Sequence, residues 1–143
     1  MNNKSNQGEE NDLVERNWRK LTLVNGEILY VDVAQIAMLQ PMGANTKLLL
    51  GTGWELTIAG DIAAVDTVLG ELRLRGVNGY RINPDHVVAI ESLGTAKCRL
   101  HISTGVSIDA EGISALDLSR AIERHGKYPW DTIRLVPAQP VKK

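Results

Sequence analysis

The side chains able to do chemistry are few and dispersed. There is one cysteine, Cys98, and three histidines, His86, His101 and His125. In Cys98-Arg99-Leu100-His101-Ile102, strand alternation puts Cys98, Leu100 and Ile102 on one face and Arg99 and His101 on the other. Cys98 and His101 therefore diverge, which removes a local thiolate–imidazole nucleophile and makes Cys98 a core residue. Zinc needs about four N, S or O ligands. One cysteine and scattered histidines without a short spacing supply no recognisable set, so neither a metal nor a cofactor is expected. Gly51-Thr52-Gly53 lacks the Lys and Ser/Thr that open the helix of a phosphate loop, and a strand follows it, so it reads as a hairpin turn. Asp61 reads as a helix cap, and Asp66, Glu71, Asp109 and Glu111 read as solvated carboxylates without a paired arrangement. No catalytic set converges, and the expectation is that the chain is not an enzyme.

Binding chemistry leaves more to work with. Arg99 and His101 share an outward strand face, with Lys47 at a comparable place earlier in the chain. Trp54 and Trp130 are large in a chain with few aromatics and no Phe. An Arg beside an aromatic ring can hold a nucleobase or a phosphate. The plainer reading is a solvated sheet face with core tryptophans. Asn83-Pro84-Asp85 is a turn, since Pro fixes φ and Asn and Asp bond nearby backbone, with His86 as a polar contact on it. The candidate ligand-binding residues are thus Arg81, Asn83, His86, Arg99, His101 and Trp54.

The elements that must position them recur. Leu21 to Val24 and Glu27 to Val31 flank Asn25-Gly26, a type I′ hairpin signal. Ile36 to Leu39 follows, then a loop around Pro41 to Asn45, a strand over Lys47 to Leu50, and the Gly51 to Gly53 turn. Trp54, Leu56 and Ile58 then share one face. Asp61 caps a helix carried by Ile62, Val65, Leu69 and Leu72, which is expected to end before Gly76. The order then restarts. Val77-Asn78-Gly79 repeats Val24-Asn25-Gly26, Ile82 to Ile90 replaces Val31 to Leu39, and Thr104-Gly105 replaces Thr52-Gly53. Ser114 with Asp117 opens a second helix, and Gly126 is its expected stop.

The expected fold class is α+β: a tandem repeat of a three-to-four-strand antiparallel unit plus one helix, arranged as a pseudo-two-fold. Residues 1–17 read as a flexible N-terminal tail, with a helix beginning near Asp12 to Trp18. Residues 18–76 form repeat 1 and 77–126 repeat 2, the two making one domain. Residues 127–143 are a C-terminal extension in which Thr132 to Val136 offers an edge strand. Unpaired edges invite pairing between chains, so a homo-oligomer is expected.

Composition narrows the partners. A net charge of −1 over 143 residues gives no general basic surface for phosphates, which weighs against nucleic acid. One cysteine allows no internal disulfide. No apolar run is long enough to span a membrane, and Met1 to Glu10 lacks the apolar core of a secretory signal. A cytoplasmic location is expected.

Each unit resembles the small flagellar proteins of the FlbD and SwrD type, on Asn78-Gly79, Ile82-Asn83-Pro84-Asp85, Val87 to Glu91, Thr104-Gly105 and Ile108. The first unit matches on Asn25-Gly26, Ile36, Thr52-Gly53 and Leu56. That family works in motility and carries the unit once. The chain also resembles the LytTR DNA-binding domain, which has two comparable strand sets. Where that family carries an Arg-Val-His-Arg-Ser-like segment, this chain has Arg73-Leu74-Arg75-Gly76-Val77. The functions expected are a non-catalytic binding or adaptor module with a protein partner; a protein sequestering a small anionic nucleotide-type ligand; and, as the second resemblance implies, a DNA-binding regulator.

Overall fold

The computed structural model describes residues 17–70, 72, 74–76, 78–124 and 133–138. His125, Gly126, Trp130, residues 1–16 of the expected N-terminal tail and residues 139–143 at the other end lie outside these residues. Strands β1 (Trp18–Thr22) and β2 (Ile28–Asp32) lead into a 3-10 turn, Val33–Gln35, and then β3 (Ile36–Met42), β4 (Asn45–Leu50), β5 (Glu55–Ala59) and helix α1 (Ile62–Leu69). Next come β6 (Leu74–Arg75), β7 (Arg81–Ile82), a second 3-10 turn, Pro84–His86, and β8 (Val87–Gly94), β9 (Lys97–Ile102) and β10 (Ser107–Glu111). Helix α2 (Ala115–Arg124) and β11 (Arg134–Pro137) follow. Every strand pairing is antiparallel. Mixed helix and antiparallel sheet make this an α+β fold.

Among the described residues the strands form three sheets: a β1-β2 hairpin, a central sheet in the order β5-β4-β3-β7-β6, and a third in the order β11-β10-β9-β8. Trp18, where the sequence suggested that the chain enters a helix, opens a strand instead. The Asn25-Gly26 hairpin forms, though not through a type I′ turn. The Gly26 N–H bonds the Leu23 carbonyl at 2.9 Å, the Leu23 N–H bonds the Glu27 carbonyl at 2.8 Å, and Gly26 takes a left-handed φ of 94°. That is a three-residue loop closed by a glycine bulge. The same bonding recurs from Gly53 to Leu50, Gly79 to Gly76 and Gly105 to Ile102.

Strand β3 runs on through Pro41 to Met42 where the sequence suggested a loop. Proline is tolerated there because β7 pairs only with Met38 and Leu39, so no strand on that side needs the Pro41 N–H. Helix α1 starts as expected, with the Asp61 carboxylate accepting from the Ala64 N–H at 2.9 Å. It stops at Leu69, well short of Gly76. Gly70 takes φ 91°, and the Asp66 carboxylate accepts the Leu72 N–H at 2.9 Å, turning the chain out of the helix. Ser114 accepts from the Asp117 N–H at 3.1 Å and opens α2.

Two apolar clusters lie on opposite faces of the central sheet. Leu21 and Val31 of the hairpin pack with Ile36, Leu39, Leu48 and Ile58 of the sheet against Val65 and Leu69 of α1. On the other side Met38, Leu49 and Ile82 meet Cys98, Leu100, Ile108 and Ala110 of the third sheet, with Leu118 of α2 and Leu135 of β11. Asn78 docks β11: its carboxamide donates to the Leu135 carbonyl and accepts the Leu135 N–H at 3.2 Å. No helix among the described residues is long and apolar enough to cross a membrane.

Candidate binding surface

The six residues singled out by sequence fall into several groups: Asn83 and His86 share the second 3-10 turn, Arg99 and His101 share β9, and Arg81 and Trp54 stand elsewhere. Arg81, on β7, lays its Nε 2.9 Å from Asp66 Oδ2 and donates from Nη1 to the Gly79 carbonyl at 2.8 Å. Arg99, on β9, donates from Nε to Asp109 Oδ1 at 2.7 Å and from Nη2 to Oδ2 at 3.3 Å. Asp66 and Asp109 are only 2% and 1% exposed, so the expectation of solvated, unpartnered carboxylates is overturned at both. The cause is register. Asp109 lies directly opposite Arg99 in the β9–β10 ladder, and β7 carries Arg81 up to the inner side of α1. The Asp109 hydrogen bond, with the charges of Asp109 and Glu91, raises the Arg99 pKa further above its ordinary value. Two of the cations that were candidates for holding an anion are already engaged by carboxylates.

Asn83 caps the second 3-10 turn. It accepts from the Asp85 N–H at 3.1 Å and donates to the Ile36 carbonyl at 3.0 Å. His86 bridges three segments, with Nε2 2.8 Å from the Ala34 carbonyl and Nδ1 2.8 Å from Ser103 Oγ. A carbonyl only accepts, so Nε2 donates there, and in the neutral ring Nδ1 accepts from the serine hydroxyl. Both residues act as joints, in line with the reading of Asn83 to Asp85 as a turn.

His101 lies between Glu91 Oε1, 3.0 Å from Nε2, and Ser107 Oγ, 3.0 Å from Nδ1. The sequence reading missed this line of acid, imidazole and hydroxyl, because the three residues meet only through the pairing of β8, β9 and β10. Cys98 is buried, as expected. Burial first, and the Asp109 charge second, push its thiol up to about 11. Among the described residues no group of three or more His, Cys, Asp or Glu could hold a metal ion.

Trp54, read as a core tryptophan or a ligand platform, is 68% exposed just before β5. It has company. On the β1–β2 hairpin, Tyr30 is 62% exposed, and Trp18, Ile28 and Val24 are exposed beside it. Register places Lys20 opposite Tyr30 and Thr22 opposite Ile28, so these residues form the outward face, while Leu21 and Val31 point into the core. The sequence held a signal for this. Ile28-Leu29-Tyr30-Val31 is apolar at both alternating phases, which a strand with one solvated face does not need.

A second surface lies between β8 and α2. Val87 to Ile90 on the strand, with Ser119, Ile122 and Glu123 on the helix, line an open groove of about 400 Å³. Val88 is 67% exposed at its lip. Chemically, these surfaces offer apolar and backbone contacts and little charge.

No family model matches the chain, and no curated protein does. Among solved structures, the chain is similar to the LytTr DNA-binding domain of a putative methyl-accepting/DNA response regulator from Bacillus cereus. The match has a TM-score of 0.53 at 15% identity, and covers 79% of this chain and 100% of that one. At that identity the likeness is one of fold. It bears out the LytTR-like arrangement of strands and gives no support to the flagellar resemblance.

Proposed function

We propose that the chain is a non-catalytic binding or adaptor module that works through protein contacts and associates with further copies of itself. The observation that carries this is the outward face of the β1–β2 hairpin. Tyr30, Ile28 and Trp18 crowd one small sheet face in water. Contiguous exposed apolar patches mark interaction sites, and aromatic residues are the side chains interfaces favour. The candidates for anion binding point the other way, since Arg81 and Arg99 are each held by a buried carboxylate. A cytoplasmic setting fits this reading.

The two halves are read as copies of one unit under a pseudo-two-fold. Supporting this, each half carries a capped 3-10 turn, a bulged strand and the same glycine turns in the same order.

The LytTR likeness favours duplex DNA as a second reading. A thermal-shift panel decides among these readings, because a ligand that binds only the folded state raises the melting point by mass action. The panel contains mono-, di- and cyclic nucleotides, ADP-ribose derivatives and short duplex DNA. A flat panel is the expected result. A rise of several degrees with one nucleotide establishes a sequestering protein and overturns the adaptor reading. A rise with duplex DNA that weakens steeply as salt increases establishes the second reading.

A further inference from the structure

Strands β3 and β8 are counterparts. Each follows a 3-10 turn capped by a side-chain oxygen, Asp32 accepting from the Ala34 N–H and Asn83 from the Asp85 N–H. Each is bulged just after its first residue, between Ile36 and Met38 and between Val87 and Ala89. Each pairs on one side with the strand that follows it, β4 or β9. On its other side β3 carries β7, with Met38 opposite Ile82 and Leu39 opposite Arg81. On its other side β8 carries no strand among the described residues. An open sheet edge is a template for pairing.

The strand that fits this edge is already in the molecule. Strand β2 leads into the first 3-10 turn as β7 leads into the second, and among the described residues it pairs only with β1. Within one chain the hairpin packs against α1, on one side of the central sheet, while β8 belongs to the layer on the other side. The hairpin of a second copy has no such constraint.

Resting on the reading of the hairpin face as a protein-contact site, we infer that its occupant is a second copy of this chain: β2 of one copy pairs with the open edge of β8 in the next. The register follows from β3 and β7, with Val31 opposite Ala89 and Tyr30 opposite Ile90. In β7, Arg81 reaches over β3 to Asp66 of α1. Asp66 lies five residues after the cap Asp61, and Ser119 lies five after the cap Ser114. Tyr30 therefore enters the groove at Ser119, whose hydroxyl donates to the Leu116 carbonyl at 2.8 Å and keeps lone pairs for the phenol. Lys20, opposite Tyr30, comes up to Glu123 at the groove wall, so the charges are complementary.

The contact joins two different surfaces, so each copy carries one donor and one acceptor. Sedimentation equilibrium of the full chain tests it. Wild type is expected to assemble, and Tyr30→Glu and Val88→Glu, both at exposed positions, are each expected to be monomeric. Mixed in equal amounts, the two variants are expected to give a one-to-one heterodimer and nothing larger, because one retains its groove and the other its hairpin. Ser119→Arg, on the exposed side of α2, gives an independent block of the groove, with circular dichroism melts confirming that all variants fold. A monomeric wild type, an assembly that survives in the variants, or a mixture that stays monomeric overturns the inference. If the chain is monomeric but position 30 still crosslinks to a different protein, the binding-module reading stands without it.

Discussion

Arg81 reaches from β7 to Asp66 on α1, its Nε 2.9 Å from a carboxylate that is almost fully buried. Asp66 also accepts the Leu72 N–H. One side chain thus holds a strand to a helix and fixes the chain where the helix stops. Breaking a buried pair by removing one partner leaves the other desolvated and costs about 3 kcal/mol. Asp66→Ala is expected to lose about that much stability in urea unfolding. A loss under about 1 kcal/mol means that the pair does not organise this junction.

Cys98 gives the chain a pH dependence. Burial holds its thiol up to about 11, against about 8.5 for a free thiol. Between those values the unfolded chain ionises while the folded chain stays protonated. The stability from burying the neutral thiol is complete below about pH 8.5 and is lost as pH rises toward 11, by at most about 1.4 kcal/mol per pH unit. Burial raises the Tyr80 pKa as well, so that phenol adds a loss of the same sign near the top of the window. Urea midpoints should fall across this window in wild type and fall less in Cys98→Ala. Equal slopes contradict the assignment.

Gly51 leaves room for the His86 ring. A Cβ at Gly51 would stand 2.6 Å from His86 Cε1, so Gly51→Ala pushes the imidazole off Ala34 and Ser103. Overpacking of this kind costs about 1–3 kcal/mol. The cost should shrink when His86→Ala is already present, since the clash is then gone, and a double-mutant cycle measures the difference. Additive losses show that the two residues do not press on each other.

The hairpin face should matter little to folding. Tyr30 and Ile28 point outward, so at concentrations too low for assembly Tyr30→Lys and Ile28→Thr are expected to change the stability of the single chain by no more than about 0.5 kcal/mol. Leu21→Ala, one residue from Lys20 but on the core side, should cost about 2–4 kcal/mol. If Tyr30→Lys costs as much as Leu21→Ala, the face is packed in the single chain.

Punctuation and alternation were the legible parts of this fold. Asn25-Gly26, Asp61, Ser114 and Thr104-Gly105 each mark an element boundary with a local cause, and alternation placed Cys98 inside. The helix end was misplaced because Gly70, six residues before Gly76, already supplies the left-handed conformation. The buried pairs were invisible because Arg99 meets Asp109, and Arg81 meets Asp66, only once strands are in register. His101 was singled out, but its meeting with Glu91 and Ser107 was missed for the same reason. Trp54 was read inward on the phase of Leu56 and Ile58, but it precedes the paired part of β5 and escapes the core.

The most direct test of the central claim is photo-crosslinking from position 30, with a benzophenone amino acid replacing Tyr30 in the full chain inside the cells that make it. A covalent adduct to protein, whether a second copy or another chain, is the expected result, and the same probe at the exposed Asp117 of α2 should give far less. Crosslinking to nucleic acid, or no protein adduct above that control, contradicts it.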